Sequence, residues 1–182
     1  MKNPEMTITM DSGKQIVIEL YPQYAPNTVA SVIDAIQRKA YNGRIIHRVV
    51  KDFVLQAEIA NDYYIPRECA AVGVVTDCPS FRKGIVGMGS EGGYSSGTSF
   101  FIMTGDAPSL DGDFAVIGKV IAGMDEVMRI NEVPCDGRLY KGKIPFYRPL
   151  KDEIMVEVTV DTFGAEYPQP VKADKVKVPY EG

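Results

Sequence analysis

The sequence predicts a mainly β single domain, a closed antiparallel barrel or a sandwich, accompanied by two isolated helices. Three observations lead there. Short runs of alternating apolar and polar residues recur, separated by turns that contain Gly, Asn or Asp. Two stretches carry helical spacing. No internal repeat or low-complexity segment divides the 182 residues, a length that one domain accommodates.

The elements follow in order. Met6-Thr7-Ile8-Thr9-Met10 alternates, Asp11-Ser12-Gly13 turns, and Ile16, Ile18 and Leu20 alternate again, which predicts a β-hairpin. Pro26 suits the first turn of a helix. Val29, Val32, Ile33 and Ile36 recur at three- and four-residue spacing after it, giving one apolar face. Asn42-Gly43 closes that region. Ile45 to Val50 and Phe53 to Gln56 read as strands broken at Lys51-Asp52, and Ala70 to Val75, Gly84 to Met88, Phe100 to Met103 and Ala115 to Val120 as further short apolar runs. A Gly/Ser-rich stretch from Gly87 to Ser99 reads as a long loop. A short helix is expected over Met124 to Ile130, and a last strand in which Ile154, Val156, Val158 and Val160 share one face. Residues 1–164 form the expected domain. The tail 165–182, rich in Pro and Lys, is expected to be extended or frayed.

Composition excludes several classes. With 45% hydrophobic residues and a net charge of −4, the chain is no disordered segment. A pI near 5.1 and the lack of a basic stripe argue against a nucleic-acid partner. No apolar run reaches the ~20 residues of a membrane span, and the opening Met1 to Thr7 has no signal core. The expectation is a cytoplasmic protein, without membrane contact.

The scarce residues narrow the chemistry. His47 is the single histidine, and Cys69, Cys78 and Cys135 stand far apart, so no paired zinc ligands exist and reduced structural thiols are expected. Gly87-Met88-Gly89-Ser90-Glu91-Gly92 matches G-x-G-x-x-G, but no helix follows to hold a pyrophosphate. Ser95 and Ser96 read as loop hydroxyls bonded to nearby backbone, and a serine hydrolase would have to use His47 as its base. His47 and Arg48, adjacent in one strand, are expected on opposite faces.

The stretch Tyr41 to Gln56, containing Ile46-His47-Arg48-Val49 and Phe53-Val54-Leu55-Gln56, resembles the signature of the cyclophilins, isomerases of X-Pro peptide bonds. Gly84 to Ser90 is similar to the family's strand and loop entering the substrate groove, and Gly97-Thr98-Ser99-Phe100-Phe101-Ile102 to its Gly-Ser-Gln-Phe-Phe-Ile segment. Leu110-Asp111-Gly112, then Ile117 to Val120 and Gly123-Met124-Asp125, continue the likeness in order. Ala25-Pro26 and its helix match as well, so the resemblance covers about residues 6 to 163. It implies an eight-stranded antiparallel barrel capped by two helices.

It also implies roles. Arg48 stands at the position of the family's catalytic arginine, and Phe53 and Gln56 accompany it. Phe53, Val54, Met88, Phe101 and Leu110 would form the apolar pocket for the proline ring, and Gly89 and Ser90 the groove edge that pairs with the peptide. Rotation about a peptide bond breaks no bond, so no cofactor or metal is expected. Partners would be proline-containing peptides and unfolded or flexible chains, whose folding the protein would assist as a monomer. The alternative is a catalytically weak proline-peptide-binding module or chaperone on the same fold.

Several positions depart from the pattern. Ser99 replaces the groove glutamine, Phe114 stands where a histidine is common, and Ser109 where some members carry a cyclosporin-binding tryptophan. Weak binding of that drug follows. Ala57-Glu58-Ile59 replaces Gly-Gly-Asp, altering the outer rim of the groove.

Overall fold

Alternation along the first two strands builds the floor of the core. The computed structural model describes residues 1–60, 62–74 and 77–174. β1 (Glu5–Met10) and β2 (Gln15–Leu20) pair as an antiparallel hairpin. Met6, Ile8, Met10, Ile16, Ile18 and Leu20 all point inward and are buried, as a period of two requires. α1 (Pro26–Gln37) follows, with Pro26 in its first turn. Its N-terminal amides are met from far along the chain. The Glu68 carboxylate accepts from Asn27 N at 3.1 Å and Thr28 N at 2.7 Å, where a negative charge suits the helix dipole.

Next come β3 (Arg44–Val50), β4 (Val54–Ala57), β5 (Tyr64–Ile65), β6 (Ile85–Glu91), β7 (Tyr94–Met103) and β8 (Val116–Ala122). α2 (Met124–Asn131), β9 (Leu139–Tyr140), β10 (Ile144–Pro145) and β11 (Ile154–Asp161) complete the series. The main sheet runs β4-β3-β11-β1-β2-β8-β6-β7, and β4 also pairs with β7. That last pairing closes an eight-stranded antiparallel barrel, so the barrel expectation holds over the sandwich. β5 pairs with the same edge of β7 as β4, nearer the β6–β7 turn. Helix α1 packs against β7 and β11, and α2 against β2 and β4.

Four local expectations change. The Gly/Ser stretch is not a loop but the β6–β7 hairpin, turning at Gly92-Gly93. Ser95, Ser96, Thr98 and Ser99 are buried, because Ser96 Oγ accepts from the amides of Thr98 and Ser99, at 3.2 and 2.9 Å, and Ser31 Oγ donates to Gly97 O. Buried hydroxyls are tolerated when so satisfied. The Ala70 run is a single 3-10 turn at Ala70–Val72, and Val75 lies outside the described residues. On β11, Met155 is buried and Val156 is 51% exposed. A bulge between Thr9 and Met10 pairs Thr9 with Glu157 but Met10 with Met155, which shifts the inward face.

The fourth change concerns the tail. Up to Asp174 it has no regular secondary structure yet is held to the barrel. Tyr167 packs against the core and Pro170 is buried. Val171 exchanges two hydrogen bonds with the Asn27 amide, at 2.7 and 3.0 Å, and Ala173 N donates to Tyr64 O at 2.8 Å. Residues 175–182 of the expected tail lie outside the described residues. Cys69, Cys78 and Cys135 are free thiols.

Between α2 and β11 the chain builds an arm that the sequence did not announce. Leu150 N donates to Pro134 O, Asp136 N to Arg148 O and Phe146 N to Arg138 O, and β9 pairs with β10 at its tip. β11 accompanies β3 only over Arg44 and Ile45. Beyond them the arm takes over, with Tyr147 O accepting from Val49 N at 2.9 Å.

Candidate active site

Arg48 reaches the surface of the barrel through an irregularity in its strand. The β3–β4 register pairs Ile46 with Ala57 but Arg48 with Gln56, so His47 is an extra residue on β3. Such a bulge re-aims side chains, and His47 and Arg48 line the same cavity instead of facing opposite ways. Arg48 Nε donates to Pro145 O at 2.9 Å, from the arm, and Nη1 donates to Gln56 Oε1 at 3.1 Å. Gln56 passes the contact on, its Nε2 donating to Ser99 Oγ at 2.8 Å. The shorter side chain of Ser99 therefore still anchors the relay. Phe146 lies beside both Arg48 and His47, its ring 5.7 Å from the guanidinium carbon and 5.4 Å from the imidazole centroid.

These groups open onto a cavity of ≈ 290 Å³. The barrel supplies one wall, with Arg48, Gln56, Gly89, Ser90 and Ser99, and the arm the other, with Tyr140, Lys141, Ile144 and Phe146. Gly89 is a spatial necessity there. A Cβ on it would stand 2.9 Å from Ser99 Oγ, too close for any side chain. Two carboxylates face the same space. Glu58 lies 3.9 Å from His47 Nε2, and Glu91 accepts from the Tyr64 hydroxyl at 2.9 Å. Burial, then the Glu91 carboxylate, pushes the Tyr64 hydroxyl up to about 12. Ser96 lines the cavity too, but its Oγ is occupied as acceptor of two backbone amides, which leaves a serine-hydrolase arrangement without support.

The apolar half is assembled differently. Phe53, Leu110 and Phe114 are half-buried members of a cluster with buried Val54 and Phe101. Its centre is a residue the sequence reading passed over. Phe81 is wholly buried, with ring centroids 5.6 Å from Phe101 and 6.5 Å from Phe114, while Phe101 and Phe114 meet edge-on at 5.7 Å. Gly87 lets the rings close on β6, since a Cβ there would lie 2.4 Å from Phe101 and 2.6 Å from Phe81. A glycine facing an aromatic strand was the one available signal. Asp111 fixes Phe81 in turn, accepting its amide at 2.8 Å.

The expected residues thus divide. Arg48, Gln56, Gly89, Ser90 and Ser99 share one cavity, and Phe53, Val54, Phe101, Leu110 and Phe114 share the neighbouring aromatic cluster. Met88 does not belong to the pocket wall. It pairs across from Phe100 and is fully buried with it in the main core, because its position on β6 faces the barrel interior. Ser109 is exposed on the 3-10 turn Pro108–Leu110.

Comparison with known proteins agrees with this geometry. Residues 5–160 match the family model described as cyclophilin type peptidyl-prolyl cis-trans isomerase/CLD. A Brucella suis biovar 1 protein named "Probable peptidyl-prolyl cis-trans isomerase" is 33% identical over 144 residues, covering 71% of this chain and 74% of its own. Isomerase cypE of Dictyostelium discoideum is 30% identical over 133 residues, covering 70% and 85%. Among solved structures, a Cryptosporidium parvum cyclophilin type isomerase, crystallised in the presence of the dipeptide Ala-Pro, superposes with a TM-score of 0.73 at 20% identity. That match covers 86% of this chain and 98% of the other, and establishes the fold.

Proposed function

This chain belongs to the family of cyclophilin-type peptidyl-prolyl cis-trans isomerases, and from that premise we propose that Arg48 is the group through which it accelerates X-Pro rotation. Resonance sets the rotation barrier at roughly 18–20 kcal/mol. At the twisted transition state the prolyl nitrogen loses conjugation and its lone pair becomes a hydrogen-bond acceptor. A donor already aimed at that nitrogen binds the twisted state better than either planar one, and only such differential binding speeds the reaction. A guanidinium suits the task because it stays charged and presents its N–H groups from a rigid plane.

One observation carries the reading: the guanidinium is oriented from two sides, by Pro145 O and Gln56 Oε1, at the mouth of a cavity. Gln56, itself held by Ser99, fixes the geometry and offers its amide to the substrate backbone. Phe53, Leu110 and Phe114, half-buried over Phe81, supply the platform for the proline ring. Because Phe81 fills the space behind them, that platform is shallow. Gly89 and Ser90, at a shift in the β6–β7 register, are the edge along which the peptide would add its own backbone.

Substrates in this reading are proline-containing peptides and unfolded or flexible chains, whose folding it assists as a cytoplasmic monomer. The acidic balance of the chain supports the exclusion of nucleic acid. Among the described residues no helix is long and apolar enough to cross a membrane. The test is exchange between cis and trans proline signals of a short peptide, by NMR, with the wild type and Arg48→Ala. The wild type accelerates exchange, and the variant loses about 10²–10³-fold, the effect of removing one preorganised donor. Equal exchange with and without the protein would overturn the assignment.

A further inference from the structure

We propose that Phe146, on the arm, is a positioning residue for the guanidinium of Arg48, and that the Asp136 carboxylate braces the arm so that the ring stays where it is. The inference rests on the reading of Arg48 given above, and names a part of the reaction's machinery that lies outside the barrel.

The arm stands where the strand of Arg48 parts from its sheet neighbour. β11 pairs with β3 at Arg44 and Ile45, and Ile46 N still reaches Glu153 O at 2.9 Å. Past the bulge at His47, Val49 N donates to Tyr147 O of the arm instead. A bulge disrupts the ladder locally, so the place of Arg48 depends on what lies along this edge.

The side chain needs orienting as well. Nε donates to Pro145 O and Nη1 to Gln56 Oε1, and the N–H groups of a guanidinium lie in its plane. Two such bonds locate the group but leave it able to tilt about the line between them. Phe146 opposes that tilt, its ring centroid 5.7 Å from the guanidinium carbon, within the range of a cation–π contact. The same ring lies 5.4 Å from the imidazole of His47, so it covers both residues of the bulge. Among the described residues Phe146 belongs to neither buried apolar cluster, so core packing does not account for an aromatic side chain at this point. The tilt sets where the N–H groups aim, and a single prolyl nitrogen is a small target.

Asp136 holds the two chains of the arm together. Its Oδ1 accepts from Arg138 N at 3.1 Å and from Arg148 N at 3.0 Å, and its own amide donates to Arg148 O at 2.9 Å. Arg138 O in turn accepts from Phe146 N at 3.0 Å, and the Tyr140 ring lies 6.4 Å from that of Phe146. One carboxylate thus bridges the strand that carries Phe146 and the strand that hydrogen-bonds it. Asp136 is not a wall of the cavity, so it acts on the reaction only through the arm.

The experiment is a double-mutant cycle in the full-length protein, with turnover of a short proline peptide and the NMR signal of the Arg48 Nε–H as readouts. Phe146→Ala lowers kcat about tenfold and leaves KM within about twofold, less than the ~10²-fold that a misplacement of 1 Å can cost. It moves the Nε–H signal, and Phe146→Tyr, which keeps the ring, restores both. In the Arg48→Ala background the same Phe146→Ala change has no further effect, because the group it orients is gone. Asp136→Ala gives the same fall in kcat and the same shift of the signal, and Asp136→Asn, which keeps the acceptor oxygen, does neither. A tenfold loss that persists without Arg48, or a rise in KM with kcat and the Nε–H signal unchanged, would overturn the proposal and leave Arg48 as the catalytic group. If Arg48→Ala turned over peptide like the wild type, the reading of Arg48 would fall, and the Nε–H signal of Phe146→Ala would still decide this one.

Discussion

Arg48 and Arg129 are both half-buried and both held by hydrogen bonds, yet their acceptors differ in kind. Arg129 is wrapped by carboxylates. Its Nε and Nη2 donate to Glu126 at 2.9 Å each, and its Nη1 and Nη2 to Glu153 at 3.2 and 2.5 Å. Glu126 is fully buried and also accepts from Ser12 at 2.5 Å. Arg48 donates to two neutral oxygens, a carbonyl and an amide. A carboxylate fixes a guanidinium and cancels its charge; a neutral oxygen fixes it and leaves the charge in place. The first arrangement ties α2 to β11, and the second aims a cation at a cavity.

The contrast can be broken by exchanging the arginines' fates. Removal of Arg48 costs turnover, about 3–4 kcal/mol of barrier, with thermal unfolding nearly unmoved. Arg129→Met does the reverse. It strands the buried Glu126 and costs about 3 kcal/mol of stability, a drop of roughly 6–12 °C in Tm for a domain of this size. Peptide turnover at 25 °C stays near wild type. If Arg129→Met abolished turnover in a protein that remained folded, the separation of roles would fail.

Acid sharpens the same difference. The bonds from Arg129 hold the Glu126 carboxyl below its ordinary value of 4.5, against the opposing effect of burial. A depressed folded-state value means the stabilisation is complete above about pH 4.5 and is lost as pH falls through the lowered value. Tm should hold steady down to that point and then decline, and the decline should be weaker in Arg129→Met. The smallest effect belongs to Ser99→Ala. Loss of one neutral hydrogen bond to Gln56 costs about 1 kcal/mol, read as roughly a fivefold fall in kcat/KM with stability little changed.

The barrel was legible because its hairpin and helices announce themselves locally. β1 and β2 alternate cleanly, α1 carries Pro26 and an apolar stripe, and Gly123 precedes α2. What escaped depends on partners. The bulge at His47 exists only in register with β4. The arm has two-residue strands, too short for any periodicity. Phe81 stands alone in an irregular segment, and the choice of ring that fills the cluster is made by packing. The family resemblance put Arg48 and Gln56 in one place, but it misled at Met88, whose inward direction is set by pairing with Phe100.

The seam between β4 and β7 has a consequence of its own. Gln56 lies opposite Phe101 on that seam, Ser99 stands two residues earlier on the strand of Phe101, and Arg48 is one strand further round. A half-assembled chain with its ends still apart is therefore catalytically silent, however well its hairpins have formed. Recovery of rotamase turnover after dilution from denaturant becomes a clock for the final long-range zipping of the cylinder.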